Sequence, residues 1–313
     1  MINPDFPKKA ALFTNDVECF SIWYNQLRME TGRLVAEDGL AILLDLYDQL
    51  DIKTTFFFTG HYARSFPDSV KKVAQAGHEI ASHGDSHEVS QGLDLLLLEE
   101  QIRALNCSKE TLEQIIGQRV ISFRSPALRV NQYTPQALAE CGFMIDSSVP
   151  SQRFDWFLSF GSRRKLGWIR APRLPYRTRP DNLFRKGEGP IVEVPLTATF
   201  FPYVGTTLRI FPFLTRIQRR FVYWEAVKRG KPVVFDIHPN EFIEEGSGKR
   251  EIARRSRSFL QFILADRLRA RLKIRNLGRP AIPLYRNEML FYKDKGFRFM
   301  RLDEYCRNAG LVK

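Results

Sequence analysis

Short runs of β-branched and aromatic residues alternate along this chain with longer stretches of helical period, and no other feature restricts the fold as much. Parallel strands cannot be joined by tight turns; each needs a crossover of a dozen or more residues, usually a helix. Strands are predicted at 11–16, 54–59, 79–82, 120–124, 144–147, 191–194 and 233–238. Residues 37–50 read as an amphipathic helix with Leu40, Leu43, Leu44 and Tyr47 on one stripe. Pro67 opens a helix that Gly77 closes, Gly117 stops a long one over 93–116, and Thr134 caps another over 135–141. The expected fold is α/β, a distorted parallel β/α barrel of about seven strands, and 313 residues suit such a barrel as one domain, 1–313.

Insertions break this rhythm after the fifth strand and near the C-terminus. Residues 151–230 form a basic and aromatic insertion: 151–190 is loop-like, and 197–224 carries Phe200, Phe201, Tyr203, Phe211, Phe213, Phe221, Tyr223 and Trp224. Net charge is +13, and residues 249–279 hold eleven Lys or Arg against Glu251 and Asp266. A basic face of this kind suits nucleic acid, anionic lipid or a phosphorylated substrate, or is simply a solvated helix. No nucleic-acid motif accompanies it, so that partner ranks last. The first residues lack a charged start and apolar run, and no segment is apolar enough to span a bilayer, so the cytosol is the expected compartment. Cys19, Cys107, Cys141 and Cys306 have no paired spacing and read as reduced, mostly buried thiols.

In a parallel barrel the C-terminal ends of the strands share one face, where reactive groups collect. Here those ends read Asp16-Val17-Glu18, His83-Gly84-Asp85-Ser86-His87, Arg124-Ser125-Pro126 and Asp236-Ile237-His238-Pro239. Residues two apart on a strand project to one side, so Asp16 and Glu18 can point together. Two imidazoles four residues apart plus a carboxylate make a three-ligand set that leaves positions open on a divalent ion. Zn²⁺ suits it, with Co²⁺ or Fe²⁺ also acceptable. Taken singly, each feature has a bland alternative: acids at a helix start, hydrogen-bonded loop histidines, a structural arginine. His61 and His78 read as structural.

Together these motifs resemble the polysaccharide deacetylases, the NodB-homology family, from about residue 9 to 241. The resemblance rests on Asp16-Val17-Glu18, on residues 77–87, and on Phe123-Arg124-Ser125-Pro126. Asp146-Ser147-Ser148, Glu193-Val194-Pro195 and His238-Pro239 complete it. It looks closest to the subgroup with Asp-Val-Glu where most members have adjacent aspartates. The resemblance implies a metal-dependent hydrolase that removes the N-acyl group of an amino sugar in a glycan or lipid-linked saccharide. It makes Asp16 the general base, His238 the general acid, Arg124 the residue that orients the base, and His83 and His87 metal ligands. Val17 occupies the usual position of the carboxylate ligand, so Glu18 is expected to take over the metal. Asp146 is expected to support His238.

Two other classes stay open: a metal amidohydrolase for a small non-sugar amide, and an inactive carbohydrate-binding barrel. The aromatic stretch 197–224 reads first as core and loop packing. Its mixture with Arg209, Arg216, Arg219 and Arg220 also suits peripheral contact with the inner face of a membrane, as does 249–279 with Phe259, Leu260, Phe262 and Ile263. A polyprenyl-linked sugar would fit such a location.

Overall fold

The computed structural model describes residues 7–153, 163–246 and 267–313. Seven parallel strands curl side by side in the order β11 (Val233–Ile237), β1 (Ala10–Val17), β4 (Thr55–Phe58), β5 (Glu79–Ser82), β6 (Ser122–Phe123), β7 (Ile145–Asp146) and β10 (Val192–Glu193). Six of the seven fall within a predicted run, and β1 exceeds its run, 11–16, by one residue at each end. The curl stays open between β10 and β11, where Thr197 bridges it: its backbone N–H donates to Val234 O and its Oγ1 accepts the Val234 N–H. A short hairpin, β2 (Phe20–Ser21) and β3 (Gln26–Leu27), follows β1, and β12 (Arg298–Phe299) pairs with the start of β1.

All eight residues of β1 are buried, as expected of a strand covered on both faces. Its period of two separates two environments. Phe13 packs outward against Phe235 and Tyr292, and Asn15 meets the Tyr47 hydroxyl. Leu12 joins the inner cluster, with Phe57, Ala81, Ile145, Val192 and Val234. Thr14 and Asp16, also inward, instead meet the guanidinium of Arg124. The interior is thus apolar near the strand starts and polar near their ends.

The outer layer comprises α1 (Met29–Leu34) and α2 (Leu40–Gln49), joined by a π-helical turn, then α3 (Gly60–Ser65), α4 (Pro67–Gln75), α5 (Leu98–Ile116) and α6 (Thr134–Glu140). After β10 come α7 (Gly205–Ile210), α8 (Pro212–Arg229), α9 (Arg269–Lys273), α10 (Ala281–Asp294) and α11 (Leu302–Asn308). Leu302, Tyr305 and Cys306 of α11 belong to the inner cluster and close the end of the sheet opposite the polar residues.

Several expectations need correction. The first helical stretch begins at Met29, and its buried stripe uses Leu46 rather than Leu44, which is only half-buried. The long helix starts at Leu98, and Thr134 lies inside α6, its hydroxyl accepting from the Asn131 N–H. Part of 151–190 is not loop. β8 (Tyr176–Arg179) and β9 (Asn182–Lys186) form an antiparallel hairpin on the edge of β10, its alternation obscured by interleaved arginines. The stretch 197–224 is largely helical. Arg209 within it is fully buried, bonded to Glu241 and to the carbonyls of Lys273 and Arg275. Most of 249–279, with Phe259, Leu260, Phe262 and Ile263, lies outside the described residues.

Candidate active site

Arg124 is the hub. Leaving β6 it is wholly buried, and its Nη1 donates to Asp16 Oδ1 at 2.8 Å, Asp236 Oδ1 at 2.7 Å and Thr14 Oγ1 at 2.8 Å. Nε and Nη2 bond the carbonyl and hydroxyl of Ser147, and the guanidinium lies 4.3 Å from the Phe57 ring centroid. A buried cation is tolerated only with such full satisfaction, and removing one partner of such a set typically costs about 3–5 kcal/mol. Burial opposes ionisation of Asp16, but Arg124, His83 and His238 hold it below the ordinary carboxylate range. Asp236 takes the opposite course, pushed up to about 7 by burial and by the charge of Asp16. Of the two carboxyls sharing Arg124, Asp16 therefore keeps its charge to lower pH than Asp236 does.

His83 and His87 come from the loop after β5. Gly84, at φ +70°, takes the left-handed turn that lets the chain leave the strand. Arg64 grips Asp85 with two hydrogen bonds, 2.7 and 3.1 Å, and steadies the loop between the two histidines. His83 Nδ1 lies 2.9 Å from Arg124 O, and His83 Nε2 lies 3.7 Å from Asp16 Oδ2. His87 Nε2 is 3.3 Å from Glu18 Oε2. Burial lowers the pKa of both imidazoles, that of His87 to about 4, with His238 adding to the effect there.

One ligating atom each from Glu18, His83 and His87 falls within 4.8 Å of the others. Glu18 Oε2 is buried without a hydrogen-bond partner, an expensive position for a carboxylate oxygen unless a cation faces it. Neutral imidazoles, an unsatisfied carboxylate oxygen and mutual closeness fit a divalent metal ion.

His238 follows β11, facing Asp16 with Nε2 at 4.0 Å and Asp236 with Nδ1 at 3.6 Å. Burial would strip its proton, but Asp236, Asp16, Glu241 and Glu18 outweigh that and push it up to about 9. Glu18, His87 and His238 line one cavity of about 350 Å³, with Phe20, Thr206 and Lys273 elsewhere on its wall. That is large enough for a small ligand.

The structure thus gathers Asp16, Glu18, His83, His87, Arg124 and His238, but not Asp146. Asp146 accepts from Ser148 and faces Glu193, and the acid beside His238 is Asp236. The sequence carried a signal for it: Asp236 and His238 stand two apart and share a strand face. No spacing pointed to Thr14 or Ser147 as partners of Arg124.

Residues 32–145 match the polysaccharide deacetylase family. That stretch is similar to a polysaccharide deacetylase domain. It contains His83, His87 and Arg124, while Asp16, Glu18 and His238 lie outside the match. Over 120 residues, 38% of this chain and 35% of the relative, it is 34% identical to the peptidoglycan deacetylase-like protein FGM2 of Gibberella zeae. Over 123 residues, 39% of this chain and 41% of the relative, it is 28% identical to a peptidoglycan deacetylase of Helicobacter pylori. The matched stretches thus span only about a third to two fifths of these curated relatives. The fold likeness extends further: the Puue allantoinase superposes with a TM-score of 0.59 over 96% of this chain and 89% of that one, at 17% identity. At that identity the likeness speaks for the fold alone.

Proposed function

We propose that the chain is a metal-dependent N-deacetylase that hydrolyses the N-acyl group of an amino sugar in a glycan or lipid-linked saccharide. The carrying observation is Glu18 Oε2, buried and unpartnered beside the two neutral imidazoles, on the same cavity as His238. An inactive binding barrel would have no use for such a set, and each member of it carries a desolvation cost.

Glu18, His83 and His87 would hold the metal. When bound, a divalent cation at such a site supplies Lewis-acid polarisation of the acyl carbonyl and acidifies water. Asp16, kept ionised by Arg124, accepts the proton of the attacking water. Arg124 fixes the direction of Asp16 through Oδ1 and leaves Oδ2 facing the histidines. His238, positively charged beside Asp236, donates a proton to the departing amine, which is a very poor leaving group as an anion. The products are a free amino sugar and acetate, or formate where the acyl group is formyl. Zinc is the natural choice for two imidazoles and a carboxylate, with cobalt and iron as alternatives.

The decisive assay measures acetate or formate release from free, polymeric and lipid-linked N-acyl sugars, and from small non-sugar amides, with and without chelator. Release from sugars alone, abolished by chelation, is the expected result. Turnover confined to non-sugar amides would replace the sugar substrate, and turnover indifferent to chelation would remove the metal.

A further inference from the structure

Helix α8 presents an unusual outer face. Phe213, Ile217, Phe221 and Trp224 fall three or four residues apart, and all four are exposed, Phe213 at 75% and Trp224 at 47%. Leu214 widens the stripe and Phe211 extends it past the helix start. Residues at this spacing share one side of a helix. The opposite side, with Thr215, Gln218, Val222, Glu225 and Ala226, is the one buried in the protein. A contiguous exposed apolar stripe on a soluble surface marks something that covers it.

The charges around the stripe identify the cover. Arg216, Arg220 and Lys228 are exposed beside the apolar residues, and Arg229 lies 5.7 Å from the Trp224 ring centroid. The helix has one acid, Glu225, and it is buried, paired with Arg173 at 2.5 Å and Lys231 at 3.4 Å. The outer face therefore displays only apolar and cationic groups. A second copy joined through the same face would set cations against cations in a chain of net charge +13. An anionic bilayer matches both halves of the pattern: head groups for the cations and the acyl boundary for the aromatics. The start of the helix lies near the catalytic side. α7, which supplies Thr206 to the cavity wall, is separated from α8 by Phe211 alone.

We propose that this face of α8, centred on Phe213, Ile217, Phe221 and Trp224, docks on an anionic lipid surface. The inference stands apart from the deacetylase reading, since lipid binding is measured without substrate.

The test is co-sedimentation with vesicles of mixed phosphatidylglycerol and phosphatidylcholine, against phosphatidylcholine alone. The protein should pellet with the anionic vesicles, and added salt should weaken but not abolish the binding. The double variant Ile217→Ser/Phe221→Ser, its fold checked by circular dichroism, should bind on the order of tenfold or more weakly. Arg216→Ala/Arg220→Ala should lose much of the preference for anionic vesicles. A wild-type protein that stays in the supernatant would overturn the proposal, as would serine variants that pellet as well as wild type. A wild-type dimer in analytical ultracentrifugation that the serine variants dissolve would also overturn it, assigning the face to a second copy.

Discussion

The Nδ1 of His83 lies 2.9 Å from the carbonyl oxygen of Arg124, so the residue after one strand fixes the tautomer of the residue after its neighbour. A carbonyl can only accept, so Nδ1 carries the proton and Nε2 keeps its lone pair on the side of Asp16 and Glu18. The same arginine positions Asp16 through Nη1. One residue thereby sets both the candidate base and one candidate ligand, and its burial makes the arrangement rigid.

Metal retention follows from that arrangement. Purified protein should carry about one divalent ion per chain, as three ligands with open positions lead one to expect. His83→Ala/His87→Ala should lose it, with the fold retained by circular dichroism, because the remaining Glu18 cannot hold an ion alone. Glu18→Gln should weaken retention less than the double variant. Full metal content in the double alanine variant, by elemental analysis, would reject this ligand set.

Asp16→Asn preserves shape while removing the proton acceptor. The variant should keep its metal and lose turnover by ~10² to 10⁴, the usual contribution of a general base. Steady-state kinetics on metal-loaded protein distinguish this from a ligand role, in which metal content would fall together with rate.

His238 should matter in proportion to the leaving group. His238→Ala should slow amide hydrolysis far more than that of an activated ester, whose leaving group departs unprotonated. Asp236→Asn tests the positioning residue behind it. Since Asp236 is the strongest influence raising the His238 pKa, its loss should move the alkaline limb of the pH–rate profile to lower pH. Equal losses on amide and ester in His238→Ala would remove the acid role.

The strands and the polar strand ends were legible because both follow from local rules: the period of two, the crossover requirement, and the sharing of one barrel face by the C-terminal ends. Asp236 was in view but went without a role, because its partner Arg124 is 112 residues away and only the curl of the sheet unites them. Asp146 meets Ser148 and Glu193 rather than His238, which its place in the sequence did not reveal for the same reason. Position in a motif says that a residue ends a strand, and only the sheet says which neighbour it meets. The helices of 197–224 were obscured by Pro202, Gly205 and Pro212, which read as loop signals although Pro212 opens α8. Whether its aromatics faced the core or solvent required the packing of α8 against the sheet.

A final expectation concerns acid stability and the adjacent residues His78 and Glu79. His78 accepts the Thr54 N–H on Nδ1 at 3.0 Å, which requires that nitrogen to be unprotonated. Burial, with Lys53 and Arg301 nearby, lowers its pKa to about 4 from an ordinary 6.5. Between those values the unfolded chain binds more protons at this site than the folded one, so the contribution of neutral His78 is present above about 6.5 and lost as pH falls towards 4. Glu79 acts in the opposite sense. Its carboxyl is raised to about 7 by burial and by Asp303, so its contribution is present below the usual 4.5 and lost as pH rises through 7. The two nearly cancel in the wild type, whose own pH dependence cannot separate them. The variant His78→Gln keeps an acceptor for Thr54 but has no proton to gain. Between pH 7 and pH 5 the stability of wild type relative to this variant should therefore fall by about 2 kcal/mol, read from denaturant midpoints at both pH values. Parallel pH profiles for the two proteins would mean that His78 titrates as it does in the unfolded chain.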